Sequence, residues 1–203
     1  MKKICFITAV HGSAYSFLRD HMAALQKEYK VHYVCNEPDL NNIKVPNDAY
    51  HCVNIQRKIS LLKDFKALWQ LYRCFRKEQF DAVHSVTPKA GLLTSIAAFF
   101  ARVPVRIHIY TGQVWANKTG FMRILLKTMD RMIAIFANQI LVDGEGQRQF
   151  LVKNNIVTEK NSKVLGSGSI CGVNLERFNP SNEVRIHKRK ELSIDDTMTV
   201  FVF

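Results

Sequence analysis

Short apolar runs alternate with amphipathic segments of helical period along most of this 203-residue chain. The candidate strands are KICFITAV, KVHYVC, AYHCVNI, FDAVHSV, VRIHIY, QILV and SKVLG. Between them, apolar residues recur every three or four positions, which is typical of helices with one buried face. Repeated strand–helix units favour a parallel sheet covered on both sides. The sequence therefore predicts an α/β fold with a Rossmann-like parallel sheet and helices on both faces.

Two of the predicted helices are both amphipathic and strongly basic. The first has an apolar stripe of Leu62, Phe65, Trp69, Tyr72 and Phe75, with its cations away from that stripe at Lys66, Arg73, Arg76 and Lys77. The second has a stripe of Met122, Leu125, Met129, Met132 and Phe136, with Arg123, Lys127 and Arg131 repeating on another side. A third predicted helix, SAYSFLRDHMAALQKEY, has Phe17, Met22, Leu25 and Tyr29 near one face.

The strand–helix rhythm stops after SKVLG. GSGSICGVNLERFNPSN is rich in Gly, Ser, Asn and Pro, which indicates a loop or linker. The basic helix EVRIHKRKEL and the β-branched, aromatic run TMTVFVF follow it. We therefore expect a first domain over residues 1–172, a linker and helix over 173–196, and over 197–203 the first strand of a second domain that is cut short.

The chain carries 29 Lys and Arg against 17 Asp and Glu, a formal net charge of +12. Such an excess favours nucleic acid, an anionic membrane or phosphate-bearing substrates as partners, or simply keeps the surface soluble. Nucleic acid has only this charge in its favour, because no groove-reading helix or aromatic platform is recognisable. The five cysteines are widely spaced and include no CxxC pair, which suits a reducing cytosol and predicts no metal site.

In an open parallel sheet, ligands bind beyond the carboxyl ends of the strands. The loop after the first strand, VHGSAYS, has one glycine where a dinucleotide site requires GxGxxG. The glycine-rich GSGSICG lacks the GK[ST] of a phosphate-binding P-loop, so it predicts a hinge. Neither loop favours a nucleotide cofactor.

Two other loops contain groups that suit a ligand. In HSVTPKAG, Thr87 and Pro88 predict a helix start with Lys89 beside it, where an anion would bind, although Thr87 could act as a cap alone. His84 precedes this turn as a base or as a structural hydrogen bonder. In YTGQVWANKTGF, Gln113 could bind sugar hydroxyls and Trp115 the C–H face, unless the indole packs on its own helix.

The order of VHSVTPKAG, VPVRIHIYTGQVW, LVDGEGQRQFL and VLGSGSICGVNLERFNP resembles the amino-terminal, acceptor-side half of family 4 glycosyltransferases, which have the two-domain GT-B fold. The resemblance is to bacterial enzymes of capsule, O-antigen and exopolysaccharide assembly. It implies retaining transfer of a sugar from a UDP- or GDP-linked nucleotide sugar, with no metal or other cofactor. The acceptor-binding residues would be Thr87, Lys89, Gln113, Trp115, Glu145 and Arg148, and Gly12 and Ser13 would approach the donor diphosphate.

This chain departs from the family pattern after the fifth strand. Family members often have Phe-His-Gly where this chain has Tyr110, Thr111 and Gly112, which leaves His84 and Thr111 as catalytic candidates. The resemblance also implies a lipid-linked saccharide acceptor. We therefore expect a cytoplasmic protein, peripheral on the inner face of the cytoplasmic membrane. The cations expected to face lipid are Lys66, Arg73, Arg76, Lys77, Arg123, Lys127 and Arg131.

Two expectations concern the chain as a unit. If it is the acceptor-side half of an enzyme, it should be inactive alone, because the groups that grip the donor lie in the other half. The alternative is a non-catalytic domain that binds an anionic membrane or a polysaccharide. What is encoded after Phe203 distinguishes these two expectations.

Overall fold

The computed structural model describes residues 1–56, 60–176 and 178–201. The chain divides into two compact units, Met1–Cys171 and Gly172–Phe203. The strands are β1 Lys3–Ile7, β2 Lys30–Cys35, β3 Ala49–Cys52, β4 Ala82–Val86, β5 Val105–Tyr110, β6 Gln139–Val142 and β7 Ser162–Lys163. The helices are α1 His11–Phe17, α2 Arg19–Leu25, α3 Leu61–Glu78, α4 Pro88–Phe100, α5 Gly120–Phe136, α6 Glu145–Lys153 and α7 Asn182–Glu191, with a short 3-10 helix at Leu40–Asn42.

The seven strands form one sheet in the order β3-β2-β1-β4-β5-β6-β7. Every neighbouring pair is parallel. Alternate residues of β1 pack on opposite faces: Cys5 and Ile7 join a core cluster with α3 and α4, whereas Phe6 joins one with α1 and α2. The predicted α/β, Rossmann-like parallel sheet with helices on both faces is confirmed.

The strand order reverses beside β1. The chain places β2 and β3 on one side of β1 and then returns to place β4 to β7 on the other. Because the segments after β1 and β4 leave in opposite directions, a crevice opens between them at the carboxyl edge. This switch point is where an open α/β sheet binds its ligand.

The third predicted helix is two helices in the structure. The chain turns at Leu18, whose φ is −116° and ψ −10°, between α1 and α2. The buried row is Ala14, Leu18 and Met22, which are four residues apart and therefore lie on one side. Phe17, expected on the buried face, is exposed.

Of the apolar stripe predicted for α3, Phe75 faces the core and Tyr72 packs against it, whereas the amino-terminal part does not. The buried residues of the helix are Ala67, Leu71 and Phe75, whereas Phe65 and Trp69 are 70% and 54% exposed. Asp64 lies on the inward side, where it forms a 2.6 Å ion pair with Lys89 at the start of α4. Small Ala67 and this ion pair fix the rotation of the helix, so Phe65 and Trp69 point outward.

The second unit contains helix α7, which begins after Ser181, whose Oγ accepts a 3.3 Å hydrogen bond from the Val184 amide. Residues 197–201, where a strand was expected, have no regular secondary structure. Their backbone is bound locally: the Thr197 amide donates to the Asp195 carboxylate at 2.9 Å, and Arg189 binds the Met198 carbonyl at 2.7 Å. Residue 177 of the predicted linker and residues 202–203 of the predicted strand lie outside the described residues.

Candidate functional site

A cavity of about 390 Å³ lies at the switch point. Its walls come from the segments after β1, β4 and β5, together with α5. It is lined by Ala9, Val10, Thr87, Pro88, Lys89, Val114, Trp115, Leu126, Met129 and Asp130. The structure thus brings together three residues that the sequence placed in two separate loops: Thr87 and Lys89 in one, and Trp115 in the other.

Thr87 is held in an unusual backbone conformation at the mouth of α4. Its φ of 75° and ψ of 142° lie in a region that β-branched residues rarely adopt and that costs about 1–3 kcal/mol. The predicted side-chain cap is absent. Oγ1 is instead buried and has no hydrogen-bond partner among the described residues. Strain together with an unpaired polar atom indicates a position kept for a ligand rather than for stability.

Other polar atoms at the same edge are also buried without a partner within the described ranges. They are His11 Nδ1 after β1, Gln113 Nε2 after β5, and Asp143 Oδ1 and Gln147 Nε2 after β6. Each such atom costs about 1–3 kcal/mol when nothing binds it. A polar ligand over the carboxyl edge would supply hydrogen bonds to these groups. Gln147 was not predicted, because no residue pattern marks an unsatisfied side chain.

Trp115 does not offer an open indole face to the cavity. It is 1% exposed and stacks on Phe150, with ring centroids 5.3 Å apart. Its Nε1 donates a 2.7 Å hydrogen bond to Oδ2 of Asp130. The indole is therefore packed against Phe150 of α6, whereas the alternative left open by the sequence was packing on its own helix.

Asp130 is a site residue that the sequence analysis missed. It is 3% exposed on α5, and burial raises its pKa to about 6, against the lowering effect of the Trp115 hydrogen bond. Leu126 and Ile133 lie four residues before and three residues after it, on the side of the helix that faces the protein. The sequence signal that could have identified Asp130 is an acidic residue in a row of otherwise apolar residues on the inward side of the helix.

Lys89 is not free to bind an anion with its full charge. Its ammonium group lies 2.6 Å from a carboxylate oxygen of Asp64, and the two side chains are 11% and 19% exposed. The Asp64 carboxylate also accepts a 3.1 Å hydrogen bond from the amide of Ser60. Lys89 still lines the cavity, but it is held in place as one half of an ion pair.

The two catalytic candidates do not share this cavity. His84 lies on the other face of the sheet, where it lines a larger and mainly apolar cavity of about 520 Å³. Burial, with a smaller contribution from His21, lowers its pKa to about 4, so the imidazole is neutral. Thr111 is exposed in the segment after β5. We place the site in the smaller cavity because that one lies at the switch point.

The remaining predicted site residues have different surroundings. Gly12 and Ser13 lie in the first turn of α1 rather than in a loop, and nothing lies within 4 Å of where a Cβ of Gly12 would be. Arg148 forms a 3.0 Å ion pair with Glu145 and binds the carbonyls of Glu159 and Ser162 at 2.9 and 3.1 Å. Neither Glu145 nor Arg148 lines the cavity. Arg148 instead holds the segment that leads into β7.

The two basic helices present their cations differently. On α3 the cations are exposed: Lys66, Arg73, Arg76 and Lys77. On α5 they turn toward the protein: Arg123 donates to the Ala116 carbonyl at 3.1 Å, Lys127 to Asn154 at 3.0 Å and Arg131 to the Asn155 carbonyl at 3.2 Å. These hydrogen bonds engage the α5 cations with the protein's own groups, and that these cations face lipid stays a prediction. No helix among the described residues is long and apolar enough to span a membrane.

One group of metal-ligating residue types lies at the β2–β3 side of the sheet. His32, His51 and Glu78 have ligand atoms within 4.8 Å of one another. The two imidazoles already share a 3.0 Å hydrogen bond, and the Glu78 carboxylate lies 3.3 Å from the ammonium of Lys3. These groups satisfy one another without an ion, and they do not line the switch-point cavity.

Comparison with solved structures agrees with the fold. The chain superposes on an Anabaena protein, Alr3699/HepE in complex with UDP-glucose, with a TM-score of 0.67 at 13% identity, covering 95% of this chain and 50% of that one. It superposes equally on a UDP-N-acetylglucosamine 2-epimerase from Rickettsia bellii, with a TM-score of 0.67 at 16% identity, covering 96% and 52%. At such identities the likeness concerns the fold alone.

Sequence comparison gives the family. The chain is 31% identical over 156 residues to the capsular polysaccharide biosynthesis glycosyltransferase CapM of Staphylococcus aureus, covering 77% of this chain and 41% of CapM. It is 26% identical over 178 residues to the UDP-Gal:alpha-D-GlcNAc-diphosphoundecaprenol alpha-1,3-galactosyltransferase of Escherichia coli, covering 86% and 45%. This chain therefore aligns with less than half of each relative. Residues 3–143 match the Glycosyl transferase 4-like family, which confirms the resemblance, and the chain belongs to that family.

Proposed function

We propose that this chain is the acceptor-binding half of a retaining GT-B glycosyltransferase in bacterial surface polysaccharide synthesis. The complete enzyme would transfer a sugar from a UDP- or GDP-linked donor to a lipid-linked saccharide. Family membership supports this proposal, as do the names of the two relatives, a capsular polysaccharide glycosyltransferase and a galactosyltransferase named for a diphosphoundecaprenol acceptor. The remaining part of those relatives would correspond to the donor-binding half.

The observation that carries the proposal is the cavity at the switch point. Polar groups from separate segments, including Thr87 and Asp130, meet there beside apolar surface from Val114 and Met129. Mixed polar and apolar walls suit a saccharide, which presents hydroxyl groups at its edge and C–H groups on its faces. Gly12 and Ser13, at the same edge, would face the donor diphosphate across the cleft. Catalysis would depend on holding the two substrates together and stabilising the leaving diphosphate.

The outer surface of α3 and α4 supports a membrane-bound location. A groove of about 430 Å³ between these helices is lined by Phe65, Leu68, Trp69, Tyr72, Ile96, Ala97 and Phe100. The exposed cations Lys66 and Arg73 lie on the same outer side of α3 as Trp69. Aromatic side chains beside basic ones are the pattern of helices that lie in the headgroup region of an anionic bilayer. The protein would therefore act peripherally on the cytoplasmic face of the membrane, where a lipid-linked acceptor is presented.

A transfer assay tests the function. The chain extended to the length of its relatives is incubated with radiolabelled UDP- and GDP-sugars and diphosphoundecaprenol-linked monosaccharides. We expect transfer of at least one sugar with its anomeric configuration kept, and no transfer by residues 1–203 alone. The extended Thr87→Ala variant should lose acceptor kcat/KM about tenfold, with donor KM unchanged, because one hydrogen bond is lost. Transfer by residues 1–203 alone, or an inverted product, would contradict the proposal.

A non-catalytic domain that binds anionic membrane or polysaccharide is the second candidate. The aromatic groove and basic surface of α3 favour it, because they bind a surface without any chemistry. The same assay distinguishes the two functions: an extended polypeptide that binds vesicles and transfers no sugar from any donor would support the binding domain.

A further inference from the structure

We infer that Asp130 forms a hydroxyl-binding subsite for the saccharide acceptor, in which its carboxylate accepts a hydrogen bond from a sugar hydroxyl. Trp115 is the positioning residue of this subsite, because it orients the carboxylate. The inference rests on the proposed function, since it specifies which group of the acceptor enters the switch-point cavity.

The carboxylate of Asp130 is held at one of its two oxygens. Oδ2 accepts a 2.7 Å hydrogen bond from Nε1 of Trp115. The side chain is 3% exposed and lines the cavity. A carboxylate offers about four acceptor positions, and burying one with a single partner is costly. A ligand hydroxyl in the cavity would supply a further hydrogen bond to the carboxylate.

The structure fixes this carboxylate in place. The Trp115 ring stacks on Phe150 and also lies 5.4 Å from the Arg123 guanidinium and 5.3 Å from the Lys127 ammonium. The backbone of the same helical turn is held as well, because the Tyr110 hydroxyl donates to the Asp130 carbonyl at 2.7 Å. Because the indole N–H is held by packing, the Asp130 carboxylate that it binds has little freedom to move. A carboxylate fixed in this way discriminates between the hydroxyl positions of a sugar.

The charges of the cavity predict how the acceptor is oriented. The Asp130 carboxylate would repel a phosphate, so a diphosphate belongs at the end of the cavity away from Asp130. The sugar ring then lies toward Asp130, with Leu126 and Met129 against its C–H groups. The ligand class is therefore a neutral sugar that carries its diphosphate on the opposite side.

The subsite has a pH signature. Because burial raises the pKa of Asp130 to about 6, the group is ionised at pH 7.5 and protonated well below pH 6. The hydroxyl-accepting form is the ionised one, so sugar binding should weaken as the pH falls through about 6. The titratable or charged groups around it are Tyr110 from β5, Lys89 from α4 with its partner Asp64 from α3, and Arg123 and Lys127 from α5. The phenol of Tyr110 stays neutral, because burial and Asp130 raise its pKa.

Calorimetry on residues 1–203 tests the inference. The probes are short-chain alkyl diphosphates linked to a panel of monosaccharides, with the sugar-free alkyl diphosphate as reference. Asp130→Asn keeps the shape and still accepts from Trp115, yet removes the charge. We expect it to weaken the tightest sugar ligand about 10- to 100-fold at pH 7.5 and to leave the sugar-free probe unchanged. Asp20→Asn, the same change at an exposed position of α2, should leave both affinities unchanged.

The Trp115→Phe variant tests whether Trp115 acts through the ionisation of Asp130. If the pair of side chains were only structural, the pH dependence of sugar binding would not shift. Without the indole N–H the pKa of Asp130 rises, so the loss of sugar binding should occur at a higher pH than in the wild type. Equal sugar affinity in Asp130→Asn, an equal loss of the sugar-free probe, or an unshifted pH dependence in Trp115→Phe each overturn the subsite while the proposed function stands. A wild-type chain that binds no sugar in the panel overturns both.

Discussion

At the scale of single residues, the carboxyl edge of the sheet has features that lower the stability of the fold. Thr87 combines a strained backbone with a buried, unpaired hydroxyl, and Asp130 places a buried carboxylate in the wall of the cavity. Structural positions normally avoid both features, because each costs free energy that folding must offset. The sequence indicated the first position through TPKAG, but not its geometry, since a Thr-Pro pair predicts a helix start and says nothing about φ.

The Thr87→Gly variant tests whether the backbone conformation of Thr87 is strained. Glycine adopts a φ of 75° without strain, and no cap hydrogen bond is lost, so we expect the free energy of unfolding to rise by about 1 kcal/mol. Thr119→Gly at the start of α5, where φ is −126° and no cap bond exists either, should lower it slightly. Urea denaturation measures both variants. A Thr87→Gly variant less stable than Thr119→Gly would show that the conformation of Thr87 is not strained.

At the scale of elements, the strands were predictable and the orientation of the helices was not. A short, mainly apolar run such as KVHYVC is typical of a strand in a sheet that is buried on both faces, and it forms β2. An amphipathic helix with a second apolar surface does not reveal which surface faces the core. On α3 that choice depends on Ala67 and on the ion pair between Asp64 and Lys89, which the sequence separates by 25 positions. The pattern of apolar residues therefore does not show that Phe65 and Trp69 are exposed while Phe75 is buried.

The packing of α4 on β5 depends on one glycine. A Cβ added at Gly91 would come within 2.6 Å of Nδ1 of His108, which is buried and shares a 3.0 Å hydrogen bond with Ser85. Gly91→Ala should therefore lower the free energy of unfolding by about 1–3 kcal/mol, since the helix must move off the sheet. Gly146→Ala in α6 is the matched change, because nothing lies within 4 Å of its Cβ position, and alanine should be neutral or stabilising there. Thermal unfolding of the two variants measures the difference, and equal melting temperatures would contradict the prediction.

At the scale of the whole molecule, the formal charge of +12 suggested a partner without saying where it binds. The structure divides the cations into those that bind the protein's own loops, as on α5, and those that stay exposed, as on α3. Composition could not make this distinction, because it depends on which carbonyl groups lie within reach of each side chain. The exposed cations and the aromatic groove occupy the same side of α3, so charge attraction and apolar insertion would act together.

The two tryptophans of the chain allow this surface to be tested directly. Trp69 lines the groove and is 54% exposed, whereas Trp115 is 1% exposed and cannot reach lipid. With anionic vesicles at low salt, tryptophan emission should shift to the blue and be quenched by brominated acyl chains, and Trp69→Phe should abolish both effects. Since each cation near an anionic surface contributes about 1 kcal/mol, Lys66→Gln and Arg73→Gln should each weaken binding about fivefold. Arg131→Gln should change it little, because that guanidinium binds the Asn155 carbonyl. Equal binding to neutral vesicles, or quenching that persists in Trp69→Phe, would place any membrane contact elsewhere on the molecule.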